Sequence, residues 1–209
     1  MSSRTALFRA GLHQIYRDHP TAILNPKTSY HFVRPSGRHT GHFLRAAETL
    51  RYGAQISFIA ASILPHLSLD EISCIYTDTS AINSVAYALL EIWSALVPSL
   101  DRPTVDSFGS YEGIRGGCDF EPREGCLCLI SAATSSKMVD EIEQERLVPR
   151  AHQVILFYVG PSLGDTTNIL CDLTKRDDNP SGTVEIFEDW DPQDCRLCPA
   201  ESDDCSHHR

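Results

Sequence analysis

Long apolar runs are missing from this 209-residue sequence. A membrane-spanning helix needs roughly 18 consecutive apolar residues, and no stretch approaches that length, so such a helix is excluded. Residues 1–5 lead into a mixed amphipathic stretch that lacks the apolar core of a secretory signal peptide. These absences predict a soluble, cytoplasmic protein.

Signatures of several common enzyme classes are also missing. The sequence contains no Walker P-loop, no dinucleotide-binding glycine fingerprint, no Gly-x-Ser-x-Gly elbow and no His-Glu-x-x-His pair. No motif therefore supports assignment as a P-loop nucleotide hydrolase, a dehydrogenase, a serine hydrolase of this type or a zinc protease. Any function has to be read from less specific patterns.

Basic residues are scarce, with 18 Lys and Arg against 28 Asp and Glu and a net charge of −10. This balance argues against binding to bulk nucleic acid. The charge is unevenly spread: residues 1–51 have a net charge of +6 and five of the nine histidines, whereas residues 185–209 have a net charge of −6. A basic N-terminal quarter indicates either a local anion site or a basic face that neutralises an acidic one. Charge alone favours the second interpretation.

Hydrophobic residues make up 42% of the chain, which is enough for a core. From residue 72 onward, apolar runs of five to seven residues alternate with amphipathic helical patterns. That alternation predicts an α/β fold with an open, mostly parallel sheet flanked by helices. The predicted strands are residues 72–76, 104–108, 126–130, 154–159 and 168–173, and the predicted helices are residues 81–97 and 137–146.

The first part of the chain has a different pattern. Apolar residues at helical spacing predict a short helix over residues 6–17 and a long helical pattern over residues 40–64, which ends at Pro65. Gly53, in the middle of the long pattern, is a point at which it can divide into two. His39 and His42 would then be surface or packing residues at the start of that helix. Residues 20–38 are predicted to be loop or short strand.

Three of the eight cysteines, Cys74, Cys128 and Cys171, lie inside apolar runs. Cysteines in such runs behave as small hydrophobic residues of a core. Without a secretory signal, a disulfide framework is not expected.

The segment 126–137 is the most informative one for function. An apolar strand ends, the hydroxyl residues Thr134, Ser135 and Ser136 follow, and a helix begins at Lys137. Such a turn points backbone N–H groups, the helix dipole and hydroxyls at one place, which suits a phosphate. The alternative is an ordinary helix cap, because Ser and Thr are preferred there in any case.

A second turn of the same kind contains Asp78, Thr79 and Ser80, after the strand predicted at residues 72–76. The carboxyl ends of strands in one parallel sheet border a common crevice, where α/β proteins usually bind their ligands. Two such turns therefore favour a phosphate-binding crevice more strongly than either does alone.

These segments resemble those of type I phosphoribosyltransferases, orotate phosphoribosyltransferase in particular. Residues 129–137 resemble a degenerate form of the family's loop for phosphoribosyl diphosphate (PRPP), residues 76–89 its diphosphate loop, and residues 31–45 its N-terminal segment. The three occur in the family's order within residues 28–160. The resemblance implies a homodimer, a nucleotide or PRPP as ligand, and a segment over the active site that includes Arg34, Ser36, Gly37 and Arg38.

The departures from the family bear on activity. Active members carry two adjacent acidic residues on the PRPP loop, where this sequence has Ser131 and Ala132. Losing two charged hydrogen-bonding groups costs about 3–6 kcal/mol, or roughly 10²–10⁴ in rate if both act in the transition state. Lys137 replaces a glycine of the loop, and residues 109–125, where the family has a lysine-rich catalytic loop, contain no lysine. Weakened or lost transferase activity is therefore expected, with magnesium needed only if activity is retained.

The tail is a second candidate site. Cys195, Cys198, Cys205 and His207 provide a Cys-x₂-Cys pair, a further thiol and an imidazole within 13 residues, a set that can complete a tetrahedral zinc shell. The spacing matches no common zinc finger closely, so free thiols in a disordered tail are the alternative. Ligands from elsewhere, such as Cys118 or Cys126, are a further one.

The sequence thus predicts a phosphoribosyltransferase-like domain over residues 1–187 and an acidic Cys/His tail over residues 188–209. Within the domain, residues 1–65 form an N-terminal hood and residues 66–187 an α/β core. The expected function is binding of a phosphorylated ribose ligand as a sensor or regulatory component. The alternatives are an interaction scaffold whose tail contacts a protein partner, and an active transferase with unusual site residues.

Overall fold

The fold is built around a five-stranded sheet. The computed structural model describes residues 3–25, 30–34, 37–67, 72–98, 101–109, 113–117, 125–164, 168–195 and 198. The sheet strands are β5 (Cys74–Thr77), β6 (Thr104–Ser107), β7 (Cys126–Ala133), β8 (Gln153–Tyr158) and β9 (Asn168–Asp172), and the helices are α1 (Ser3–Arg17), α2 (Gly53–Ile63), α3 (Asn83–Leu96) and α4 (Lys137–Arg146).

The strand order is β6-β5-β7-β8-β9, and every neighbouring pair is parallel. The α/β fold with a parallel sheet flanked by helices is therefore confirmed. Each predicted run became a strand. The runs of β5, β7 and β8 are buried, as expected of the inner strands of a parallel sheet, whereas the edge strand β6 is partly exposed.

Alternate residues of the central strands face opposite sides of the sheet. Ile75, Leu127 and Leu129 pack in one cluster with buried residues of α1, α2 and α3, whereas Cys128 and Ile130 pack in another with α4. The period of two along a strand produces this division. Cys74, Cys128 and Cys171 are buried free thiols, so their predicted role as small core residues is confirmed.

The hood contains two small antiparallel sheets. The first pairs β1 (Ile23–Leu24) with β4 (Phe43–Leu44), and the second has the order β10-β3-β2, with β2 (Phe32–Val33), β3 (His39–Thr40) and β10 (Asp189–Trp190). The last strand comes from the predicted tail. The second sheet therefore joins the hood to a segment about 150 residues further along the chain.

The helical pattern predicted over residues 40–64 is wrong for its first half. Residues 39–40 and 43–44 are strands, a short 3₁₀ helix covers Ala46–Thr49, and α2 begins only at Gly53. The strand partners Asp189 and Leu24 lie outside any local window. Pairing with them overrides the local helical spacing, and His39 is consequently a strand residue.

None of the helices in the described part of the chain combines the length and apolar character needed to cross a membrane.

Candidate functional site

The sheet changes direction of winding at β5. The chain continues from β5 to β6 on one side and from the adjacent strand β7 to β8 on the other, so the connections that follow these two neighbouring strands run toward opposite edges of the sheet. Ligands of open α/β sheets bind beyond the carboxyl ends of the strands at such a switch point. The residues that follow β5 and end β7 are therefore the first place to look for a site.

Two side chains meet at this point. Oγ of Ser131, near the end of β7, donates a 2.7 Å hydrogen bond to Oδ2 of Asp78, the residue after β5. Asp78 is buried, and its Oδ1 has no hydrogen-bond partner among the described residues. An acceptor left in this state carries an energetic cost.

Burial has a measurable consequence for Asp78. Removal from water raises the pKa of its carboxyl group to about 6, although the hydrogen bonds from Ser131 oppose the shift. Desolvation disfavours the charged form of an acid. The carboxyl group of Asp78 therefore loses its proton less readily than that of an exposed aspartate.

Arg34 reaches the end of β7 from the hood. Its Nη1 donates a 2.7 Å hydrogen bond to Oγ1 of Thr134, and its Nη2 lies 2.9 Å from Oδ1 of Asp189 on β10. The two contacts hold the guanidinium between the β7–α4 turn (residues 134–136) and the small sheet. Both Nη atoms therefore already have a protein partner, and a phosphate bound here would share the guanidinium with Thr134 and Asp189.

The β7–α4 turn carries the other predicted residues. Oγ of Ser135 accepts a hydrogen bond of 3.4 Å from the backbone N–H of Lys137, and Ser135 and Lys137 are exposed. Ser136 faces its own helix, since its Oγ donates to Oδ2 of Asp140 at 2.8 Å. The first-turn N–H groups of α4 lack intrahelical acceptors, as at any helix start.

Gly160 supports this turn from behind. A Cβ at position 160 would lie 2.5 Å from the carbonyl oxygen of Thr134 and 2.5 Å from Oη of Tyr158. The backbone N–H of Val159 also donates to the carbonyl of Ala133 at 3.1 Å. This close approach holds the β7–α4 turn against the end of β8.

Two cavities open beside these groups. The first has a volume of about 360 Å³ and is lined by Phe32, Val33, Arg34, Thr40, His42, Phe43, Leu44, Asp78, Ser131, Ala132, Ala133, Thr134, Ser135, Lys137 and Met138. The second, of about 350 Å³, shares Arg34, Thr134, Ser135 and Lys137 with the first. Burial lowers the pKa of His42, so that imidazole is neutral at pH 7. The first cavity is lined by the cations Lys137 and Arg34, of which Arg34 is paired with Asp189, and by the carboxyl group of Asp78.

The remaining predicted residues lie around this centre. Arg38 lines the second cavity and donates to Oδ1 of Asp191 at 3.1 Å, while Gly37, with φ +78°, forms the turn between Arg34 and Arg38. Thr79 caps the 3₁₀ helix Ser80–Ile82 through a contact with the N–H of Ala81. Neither Thr79 nor Ser80 lines the two cavities. Ser36 lies outside the described residues.

A separate group of side chains has the composition of a metal site. The ligand atoms of His31, His39, Cys195 and Cys198 all lie within 4.8 Å of one another, so these four residues could hold a metal ion. Cys195 and Cys198 belong to the ligand set predicted from the tail. Cys205 and His207, the other two members, lie outside the described residues.

Sequence reasoning missed three of these relationships. It did not place Asp189 beside Arg34, and it read Ser131 only as the loss of an acid, not as the donor to Asp78. It also placed His39 on a helix. A usable signal existed for the histidines, because five of nine occur in residues 1–51 and a Cys-x₂-Cys pair needs two further ligands.

Solved structures similar to this chain include two orotate phosphoribosyltransferases. The enzyme from Aeropyrum pernix is 16% identical, with a TM-score of 0.47 over 77% of this chain and 93% of that one. The enzyme from Mycobacterium tuberculosis H37Rv, in complex with inorganic phosphate, is 11% identical, with a TM-score of 0.47 over 79% and 95%.

A third similar structure is the UMP synthase of Leishmania donovani, which is 11% identical with a TM-score of 0.47. The match covers 81% of this chain but 36% of that protein. No family model and no curated protein matches the sequence. Similarity at this level says nothing of a shared activity or ligand.

Proposed function

We propose that the crevice at the end of β5 and β7 binds a phosphorylated ribose ligand, a nucleotide or PRPP, and that transferase activity is weakened or lost. The observation that carries the proposal is the placement of Arg34, Thr134, Ser135 and Lys137 along both cavities at the start of α4. Hydroxyls, a guanidinium and an ammonium around a helix N-terminus form a favourable environment for a phosphate.

The proposal of weakened transferase activity rests on two residues at the carboxyl end of β7 that line the first cavity. Ser131 and Ala132 line the first cavity where a working transferase loop has two acids, and Ser131 is occupied with Asp78. Magnesium is bound by carboxylates together with substrate phosphates. Asp78 is the one carboxylate that lines the first cavity in the described part of the chain, and it is buried. These residues do not fit a magnesium-dependent transferase site, and no step through magnesium is part of the proposal.

We further propose that the protein is a sensor or regulatory component that acts in the cytoplasm as a homodimer. The acidic segment after residue 187 is proposed to contact a protein partner, and a structural zinc ion to order it. Size-exclusion chromatography with light scattering tests the dimer.

Calorimetric titration of the purified chain tests the ligand. We expect ribose 5-phosphate, PRPP or a nucleoside monophosphate to bind, and Arg34→Ala and Lys137→Ala each to weaken binding by about 10–100-fold, the value of a charged hydrogen bond. Arg102→Ala is the matched control, because Arg102 pairs with Glu91 on the exposed side of α3.

Two outcomes would contradict the proposal. Absence of binding by any of these ligands would favour the interaction scaffold. Saturable, magnesium-dependent consumption of PRPP would favour an active transferase with unusual site residues.

A further inference from the structure

The group formed by His31, His39, Cys195 and Cys198 brings together two distant parts of the chain. His39 lies on β3 and His31 directly before β2, whereas Cys195 and Cys198 follow β10 in the same small sheet. The backbone N–H of Cys198 donates to the carbonyl of Cys195 at 3.2 Å, which closes a tight turn between the two sulfurs. The imidazoles of His31 and His39 therefore lie next to the sulfurs of Cys195 and Cys198.

The distances suit tetrahedral zinc. Sγ of Cys198 lies 3.3 Å from Nδ1 of His39 and 3.6 Å from Nε2 of His31. With Zn–S of about 2.3 Å and Zn–N of about 2.0–2.1 Å, sulfur and nitrogen ligands of a tetrahedral ion are about 3.5 Å apart. The two imidazole rings stack, with centroids 4.6 Å apart and planes inclined by 20°, so both rings can direct a nitrogen to the same side.

Burial and charge agree with a metal in this place. His39 and Cys195 are 2% and 6% exposed. Two thiolates and two neutral imidazoles have a combined charge of −2, which one Zn²⁺ ion neutralises. A neutral centre removes the cost that buried charges would otherwise have, and the mixed soft and imidazole donors favour zinc over magnesium or calcium.

We propose that His31, His39, Cys195 and Cys198 bind one Zn²⁺ ion in the reduced chain and that this ion fastens the segment after β10 to the hood. The ligand set differs from the one expected from the tail alone, because the two imidazoles come from the N-terminal quarter. It does not rest on the proposed phosphate site, since it can hold whether or not a nucleotide binds.

Zinc binding at these four residues requires that Cys198 be reduced. In the structure Cys198 is disulfide-bonded, and the described cysteines Cys74, Cys126, Cys128, Cys171 and Cys195 are free thiols. A thiol or phosphine reductant supplies two electrons, and two protons complete the conversion of that disulfide to two thiols. Zn²⁺ then binds the Cys195 and Cys198 sulfurs as thiolates and releases their protons to solvent.

The test uses the full chain, purified with a phosphine reductant after growth with added zinc. We expect about one zinc per chain by elemental analysis. Replacement by Co²⁺ should give the intense visible bands of a tetrahedral ion and a thiolate-to-cobalt charge-transfer band. Chelation should lower the midpoint temperature of unfolding. Zinc well below one per reduced chain would overturn the proposal.

Variants identify the ligands. Zinc content should fall in His31→Ala, His39→Ala, Cys195→Ser and Cys198→Ser, and remain near one in Cys205→Ser, in His207→Ala and in the control His66→Ala. Zinc retained in both histidine variants, or lost in Cys205→Ser and His207→Ala, would overturn the assignment. The variant His39→Cys guards against a simple folding defect: it should keep the metal and strengthen the charge-transfer band of the cobalt form.

Discussion

Oγ of Ser131 donates a 2.7 Å hydrogen bond to Oδ2 of Asp78, which links the carboxyl ends of two neighbouring parallel strands. The contact places a hydroxyl where an active transferase of the resembling family has an acid. It also gives the buried carboxyl group of Asp78 a hydrogen-bond donor. Its effect on stability can be measured without a ligand.

The first prediction concerns the pH dependence of Asp78→Asn. The pKa of Asp78 is about 6 in the folded chain, against an ordinary value of 3.8 for an aspartate in water. At pH 4 the folded chain keeps this proton while somewhat more than half of the unfolded chains have lost it, which costs only about 0.5 kcal/mol. Between about pH 4 and 6 the unfolded chain loses the rest while the folded chain largely keeps its proton. The carboxyl therefore costs stability as pH rises, by up to about 3 kcal/mol above pH 6.

Denaturant unfolding at pH 4 and pH 7.5 measures this cost. Asp78→Asn should be more stable than wild type at pH 7.5, by about 1–3 kcal/mol, and nearly equal to it at pH 4. Asp106→Asn, at an exposed position of β6, controls for the general loss of a negative charge. An identical gain at both pH values would contradict a buried carboxyl that titrates in this range.

The second prediction is that Ser131→Ala destabilises the chain by about 1–3 kcal/mol at pH 7.5, because it leaves Oδ2 of Asp78 without the hydroxyl donor. In the Asp78→Asn background the same substitution should cost less. A double-mutant cycle measures the difference. Ser135→Ala, on the exposed part of the β7–α4 turn, should stay within about 0.5 kcal/mol of wild type. Additive effects in the cycle would argue against the contact.

The third prediction concerns Gly160→Ala. The added Cβ would meet the Thr134 carbonyl and the Tyr158 hydroxyl at 2.5 Å, so the β7–α4 turn or the end of β8 has to move. Overpacking of this kind costs about 1–3 kcal/mol. The matched control is Gly53→Ala at the start of α2, where a Cβ meets nothing within 4 Å and the change should be neutral or stabilising. Equal thermal midpoints for the two variants would contradict the close approach.

The fourth prediction separates the two arginines of the hood. The Arg34 side chain is 19% exposed and bridges Thr134 and Asp189, whereas that of Arg38 is 45% exposed. Arg34→Ala should therefore destabilise the chain by about 1–2 kcal/mol, and Arg38→Ala by less than about 1 kcal/mol. Arg34→Lys should behave like Arg34→Ala, because an ammonium cannot span both partners. Chemical denaturation compares the three, and rescue by lysine would count against a bridging role.

The α/β core could be predicted because its signals are local. Each central strand is a short apolar run, and α3 and α4 have helical spacing next to a strand. The turn at Thr134 was found for the same reason, since strand, hydroxyls and helix follow one another in the chain. Such patterns depend only on neighbours within about ten residues.

The strands of the hood could not be predicted, because they exist only through distant partners. His39 pairs with Trp190 and Leu44 with Ile23, and strands of two residues leave almost no periodic signal. Because the partners are equally far apart in sequence, the contacts of Arg34 with Asp189 and of the two histidines with Cys195 could not be predicted either. Long-range pairing decides the structure here, and a single sequence carries no direct record of such pairing.

The pairing of β10 with β3 also bears on the order in which the protein can fold. β3 leaves the ribosome about 150 residues before its partner, whereas the five core strands are complete once residue 172 has emerged. The core can therefore assemble while synthesis continues, but the second hood sheet must wait for nearly the whole chain. Because contacts so distant in sequence form slowly, a ribosome-bound chain stalled before residue 189 would present the crevice with its cover still open.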